Sequence, residues 1–221
     1  MAAQSIPAQN DPTRGADPDL VEENRSPTQI LVPRGIGWLL LIGGLVGAVA
    51  SFVLTADKVH LLEDPSYVPG CSINAQFSCG SVMTSWQASL FGFPNSLIGL
   101  AAFPVVAALG ALLLGGVRLP RWVWWSLQAG ALFAVVLVHW LMIQSVYEIG
   151  ALCLYCMAVW TVTIPIFWYV TLTTVGNDPA TLAGADEDEI RAGRISLPRW
   201  HVVVPVLWLA AIALIVVLKF A

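Results

Sequence analysis

The chain has 221 residues, 57% of them hydrophobic and only 11% charged, with a mean hydropathy of +0.77. A soluble domain is about half apolar and a quarter charged, so this composition excludes an ordinary soluble globule and points to the lipid bilayer. The formal net charge of −4 gives no basic footprint and argues against nucleic acid as a partner.

Residues 1–33 are rich in Ala, Pro, Asp, Glu and Asn and have no apolar period, which predicts a disordered tail. The charge-free run 35–56 is long enough to cross a bilayer as a helix. A signal peptide cleaved near Ala48-Val49-Ala50 is the competing reading; the long acidic leader favours an uncleaved anchor. Lys58 to Gly70 is polar and rich in turn formers, so it reads as the start of a loop covering 57–94. Between Pro65 and Val117 there is no Lys, Arg, Asp or Glu, yet only the second half is continuously apolar. Residues 71–94 mix Ser, Asn, Gln and Thr with large apolar side chains, which suggests short amphipathic pieces on the membrane surface or capping a bundle. Asn95 or Ser96 then serves as an N-cap for a second span over 95–116.

Arg118-Leu119-Pro120-Arg121 makes a tight charged turn before a third span, 122–147, with Trp122, Trp124 and Trp125 at one interface and Trp140 and Tyr147 toward the other. A fourth span covers 152–174 and tolerates Pro165. The charged stretch 176–199 is a polar connection to a fifth span, 200–218. With spans alternating sides, Arg14, Arg25, Arg34, Arg118, Arg121, Arg191, Arg194 and Arg199 fall on one face, and only Lys58 and Lys219 on the other. The arginine face, with the N-terminal tail, is therefore cytoplasmic, and the four cysteines emerge on the opposite, extracytoplasmic side.

The cysteines form two pairs, Cys71/Cys79 and Cys153/Cys156. In Cys153-Leu154-Tyr155-Cys156 the thiols share one helix face, close enough to form a disulfide without backbone movement. The helix N-terminus favours a thiolate at Cys153 and leaves Cys156 one turn deeper. A bridge across three residues closes a small loop and stabilises weakly, so it suits a switch better than a staple. A structural disulfide or a four-cysteine zinc site are the competing readings; the eight-residue spacing of Cys71 and Cys79 is poor for zinc. Two pairs on one face allow exchange between them, with the loop pair collecting electrons from a bulky partner.

In order along the chain stand Cys71-Ser72-Ile73-Asn74-Ala75-Gln76-Phe77-Ser78-Cys79, Ser85-Trp86, Asn95-Ser96 and Cys153-Leu154-Tyr155-Cys156. Together they resemble the vitamin K epoxide reductase family in its bacterial form, from the first span through the fourth. The resemblance implies an all-α integral membrane protein, a four-helix bundle around a quinone site with a fifth transmembrane helix, in the plasma (inner) membrane. It implies thiol:quinone oxidoreductase activity that reoxidises a separate DsbA-type thioredoxin-fold partner, since 221 residues leave no room for the thioredoxin-like domain that many bacterial members carry. Menaquinone is the expected quinone and ubiquinone the other candidate. Position by position, Cys71 and Cys79 match the shuttle pair and Cys153 and Cys156 the active-site pair. Cys79 would bridge to Cys153 during transfer, and Cys156 would face the quinone. Asn95 matches an asparagine that hydrogen-bonds a quinone carbonyl, and Ser85 a loop serine or threonine near the pocket.

Met83 and Trp160 stand where animal members often have phenylalanine and tyrosine, so the resemblance carries quinone reduction further than quinone-epoxide reduction. A DsbB-type enzyme would show the two cysteine pairs in the reverse order. A non-enzymatic membrane protein braced by disulfides is the reading from another class. His139 is expected to make a structural hydrogen bond inside the bundle, a proton relay to the quinone being the alternative, and Glu148 to be solvated at the interface.

Overall fold

A computed structural model describes residues 32–176 and 201–220. The tail expected over 1–33 and the connection expected over 176–199 lie outside the described residues except for Val32, Pro33 and Gly176; Trp200 lies outside them too. The elements are α1 (Arg34–Glu63), α2 (Cys79–Thr84), a 3₁₀ turn (Trp86–Ser89), α3 (Ser96–Leu114), α4 (Arg121–Ile143), α5 (Leu154–Gly176) and α6 (Val203–Phe220). A π-helical turn, Gln144–Ile149, continues α4. Among the described residues five helices, α1, α3, α4 with its π turn, α5 and α6, are long and apolar enough to cross a membrane. These are the five expected spans, in the all-helical architecture expected for them.

The first span differs most from expectation. Helix α1 does not stop at residue 56 but runs on to Glu63, 30 residues in all. At about 1.5 Å per residue it is longer than a hydrocarbon core about 30 Å thick. Lys58, His60 and Glu63 are polar but compatible with a helix, and no breaker occurs before Pro65. Asp64 ends the helix, its N–H donating to the His60 carbonyl at 2.8 Å. The added turns keep an apolar face: Leu54 and Leu61, seven apart, both pack on the cysteine cluster.

Helix α1 lies closest to α3, and glycine makes that possible. A Cβ on Gly44 would collide with the Ala107 backbone, and one on Gly110 with the backbone of Leu41 and Gly37. Without a hydrophobic drive between helices in lipid, such close backbone approach supplies the van der Waals contact that holds them. Helix α5 packs against both α1 and α4, while α6 lies at the periphery and is mostly exposed. It is held by Trp208, whose Nε1–H donates to His139 Nε2 at 2.9 Å; His139 Nδ1 lies 2.7 Å from the Val135 carbonyl. With Nε2 accepting, Nδ1 carries the proton, so His139 is a neutral, doubly bonded tether between helices.

The two ends of the bundle differ in charge. Leu119, between Arg118 and Arg121, packs with Ile36 near Arg34, Trp124 and Val170 in one buried cluster. At the other end are the cysteines, Lys58, and Lys219, whose Nζ lies 5.5 Å from the centre of the Tyr147 ring. Trp122 and Trp125 are exposed as interface anchors should be, but Trp124 is fully buried. Its position turns it into the bundle, where its ring fills the core instead of reaching headgroups.

Candidate redox centre and the cavity beside it

Two features of the backbone bring distant cysteines together. Gly150 ends the π turn with φ 67°, a left-handed conformation that costs glycine little. The chain thus turns back sharply, with Ser145 Oγ donating to the Ala151 carbonyl. Leu152 then forms a parallel bridge with Phe77: its N–H donates to the Gln76 carbonyl at 2.7 Å and its carbonyl accepts from Ser78 N–H at 3.0 Å. Ser78 precedes Cys79 and Leu152 precedes Cys153, so the bridge sets the two cysteines side by side.

Cys71 and Cys79 form a disulfide, with Cα atoms 5.8 Å apart, while Cys153 and Cys156 are free thiols. The sulfurs of Cys71, Cys79 and Cys153 all lie within 4.8 Å of one another. With two of the three already joined, the group offers one thiol next to one disulfide, an arrangement for exchange more than for holding a metal. Cys79 and Cys153 are each 0% exposed and Cys71 is 4% exposed. The loop pair was expected to collect electrons from a bulky partner; in this conformation it is closed under Tyr155, Leu54 and Leu61.

Cys153 sits immediately before α5 and its carbonyl accepts the Met157 N–H at 3.0 Å, so it is the N-cap residue. Its thiol is held below the ordinary cysteine range, first by the hydrogen bond from the Cys156 thiol and further by the backbone N–H groups of Cys156 and Tyr155, against the effect of burial. This is the thiolate-favouring helix terminus read from the sequence.

Cys156, one turn along, packs against the same cysteine cluster and also lines a cavity of about 680 Å³. Apolar side chains of α1, α3, α4 and α5 form most of its wall, Phe103, Leu137, Val138 and Trp160 among them. Volume and lining fit the ring of a lipid quinone, since small-molecule pockets run from about 300 to 1,000 Å³ and are mostly apolar with few polar groups. Val105 of α3 and Phe133 of α4 line the cavity yet are 58% and 49% exposed, so it opens sideways between these helices.

Asn95 and Ser85 both line this cavity. Asn95 occupies the N-cap position of α3 but makes no side-chain cap. Its Nδ2 donates to the Gln87 carbonyl at 2.7 Å and its Oδ1 accepts from Leu90 N–H at 3.2 Å, fixing the 3₁₀ turn at the loop end of the cavity. An amide nitrogen has two protons, so one remains for a ligand. Ser85 Oγ donates to the Val82 carbonyl at 2.7 Å, so its proton is spent on the backbone. Trp160 lines the cavity; exposed Trp86 is no part of its lining and stacks edge-on with Trp140 at 6.0 Å. His139 is not part of the lining either, and Glu148 is exposed.

Several lining groups were not singled out from the sequence. Lys58 reaches from α1 to the rim, its Nζ donating to the Met83 carbonyl at 2.7 Å. Gln87 is buried there with Nε2 donating to Gln144 Oε1 at 3.3 Å. Thr163 lines the cavity from α5. The one available signal for Lys58 was a lone charge ending an apolar run.

Residues 38–171 match the profile described as the vitamin K epoxide reductase family. No curated protein matches the chain.

Proposed function

The chain belongs to the vitamin K epoxide reductase family, which makes it a membrane oxidoreductase, and we propose that it carries electrons from protein thiols to a quinone. The observation that carries this reading is that one helix terminus holds two neighbouring thiols, one beside a disulfide and the other also in the wall of a cavity. Cys153 lies against a disulfide within 4.8 Å, and Cys156 against an apolar cavity of about 680 Å³.

The reaction balances as follows. A reduced thioredoxin-fold partner of the DsbA type gives two electrons and two protons to the Cys71–Cys79 disulfide and leaves oxidised. Cys79, as thiolate, attacks Cys153 of an oxidised Cys153–Cys156 bridge, forming the Cys79–Cys153 mixed disulfide and releasing the Cys156 thiol. Cys71 then attacks Cys79, restoring the Cys71–Cys79 disulfide and releasing Cys153. The arrangement in the structure corresponds to this point: loop pair oxidised, inner pair reduced. A quinone in the cavity takes up two electrons and two protons and leaves as the quinol, while Cys153 and Cys156 rejoin as a disulfide.

The side chains have distinct roles in this scheme. Cys153 is the exchanging thiol, favoured as thiolate by its hydrogen bonds. Cys156 delivers electrons into the cavity. Asn95 offers its second N–H to an oxygen on which negative charge grows. Ser85 shapes the loop end of the cavity. The charge difference between the bundle ends supports a cytoplasmic arginine end and an extracytoplasmic cysteine end in the plasma membrane. Supplied with quinone, the protein supports disulfide formation in exported proteins; the ring of either menaquinone or ubiquinone is small enough for a cavity of this size.

The test is quinone reduction by purified protein given a reduced thioredoxin-like donor, comparing wild type with Cys156→Ala. Turnover in wild type and none in the variant is expected. Equal rates would leave only a structural role for the cysteines.

A further inference from the structure

Threonine hydroxyls inside apolar helices usually satisfy themselves on the carbonyl three or four residues back. Six of the seven described threonines do this: Thr55, Thr84, Thr161, Thr171, Thr173 and Thr174. Thr163 is the exception. It is 3% exposed, its Oγ1 has no hydrogen-bond partner, and it lines the same cavity as Cys156. A hydroxyl left unpaired in an apolar wall costs stability, and replacing it with a methyl group of the same shape would remove that cost.

Thr163 stands seven residues after Cys156 on α5, two turns along the same face. Seven residues at about 1.5 Å each set it about 10 Å further from the loop end than Cys156, less the small lean of helical side chains toward the N-terminus. Asn95 contributes a donor at that loop end, so the cavity has hydrogen-bonding groups at two depths. A ligand with a single carbonyl would satisfy one depth and leave the other bare.

Resting on the quinone reading above, we propose that the Thr163 hydroxyl is a binding and specificity group for the second oxygen of a 1,4-dione, opposite the oxygen facing Asn95. What this hydroxyl adds is discrimination against mono-ketones of the same size. Thr163 donates the hydrogen bond and moves no electrons.

The experiment compares wild type, Thr163→Val and Thr163→Ser in detergent, by saturable quenching of protein fluorescence and by thermal unfolding. The probes are 2-methyl-1,4-naphthoquinone and the mono-ketone 1-tetralone. Thr163→Val should weaken naphthoquinone binding by roughly five- to tenfold, Thr163→Ser should restore most of it, and tetralone affinity should be the same in all three. Without ligand, Thr163→Val should unfold at the same temperature as wild type or higher. Naphthoquinone affinity within twofold of wild type in the valine variant, or a ligand-free unfolding temperature several degrees lower, would overturn the proposal. If wild type binds naphthoquinone no better than tetralone and passes it no electrons, the quinone reading itself fails, which is a different result from a valine variant that binds normally.

Discussion

The Ser78 N–H donates to the Leu152 carbonyl at 3.0 Å, and each of these residues is followed directly by a cysteine. One backbone hydrogen bond thus fixes how a loop between two helices meets the start of a third. Side-chain substitution leaves it in place, so cysteines on either side can be replaced without dispersing the others.

Replacing Cys71 with serine should therefore trap the relay. Cys79 still attacks the Cys153–Cys156 bridge, but without Cys71 the mixed disulfide cannot pass forward, and only the return of Cys156 can release it. A Cys79–Cys153 disulfide should accumulate with Cys156 as a free thiol, detectable by non-reducing peptide mapping. Recovery of Cys153 still bonded to Cys156 in the variant would contradict the order of transfer.

Cys153 should react at lower pH than an ordinary thiol. Its folded pKa is depressed, so its thiolate persists to lower pH and is lost as pH falls through that depressed value. The first cause is the Cys156 thiol, and Cys156→Ala should move the midpoint upward. The pH dependence of labelling by methyl methanethiosulfonate, read by mass spectrometry, measures this. An unchanged midpoint in the variant would assign the shift to the helix amides alone.

Asn95→Asp separates the two functions of this side chain. It keeps an oxygen for the Leu90 N–H and loses the donor to Gln87 and to the cavity. The quinone KM should rise by about tenfold, as for loss of a hydrogen bond of roughly 1–1.5 kcal/mol, while the cysteine relay still exchanges. Michaelis profiles at fixed reduced donor decide it.

His139→Phe should loosen α6 without stopping chemistry. The substitution removes the Trp208 bond, worth about 0.6–2 kcal/mol between helices in lipid, and the residue does not line the cavity. Quinone reduction within twofold of wild type and a lower unfolding temperature are expected. A large loss of turnover with stability unchanged would revive His139 as a proton relay.

Gly110→Val should fail to accumulate as folded protein. Its side chain would enter the backbone of Leu41 and Gly37, which cannot yield as a flexible side chain can. Overpacking of this kind costs about 1–3 kcal/mol or more. Size-exclusion behaviour in detergent shows it, with Gly130→Val, on open space, as the control.

The spans were legible because twenty or so apolar residues without charge can do little else. The cysteine pairs, Asn95 and Ser85 were legible because their order along the chain is specific. The last turns of α1 were missed because polar residues were read as ending a helix, whereas Leu54 and Leu61 continue its buried face past the charges. The closeness of α1 and α3 was missed since Gly44 and Gly110 declare nothing until they face each other's backbones. Trp124 was read with its neighbours as an anchor, and only its direction on the helix distinguishes it. Thr163 gave no signal at all, because whether a hydroxyl bonds its own helix is decided by packing.

On the proposed electron path, the sideways mouth between Val105 and Phe133 would separate the two supplies of this protein. Its reductant would arrive by diffusion in three dimensions through water, and its oxidant by diffusion in two through hydrocarbon. Saturation by the acceptor then follows the mole fraction of that molecule among the lipids, and diluting vesicles in buffer should leave it untouched.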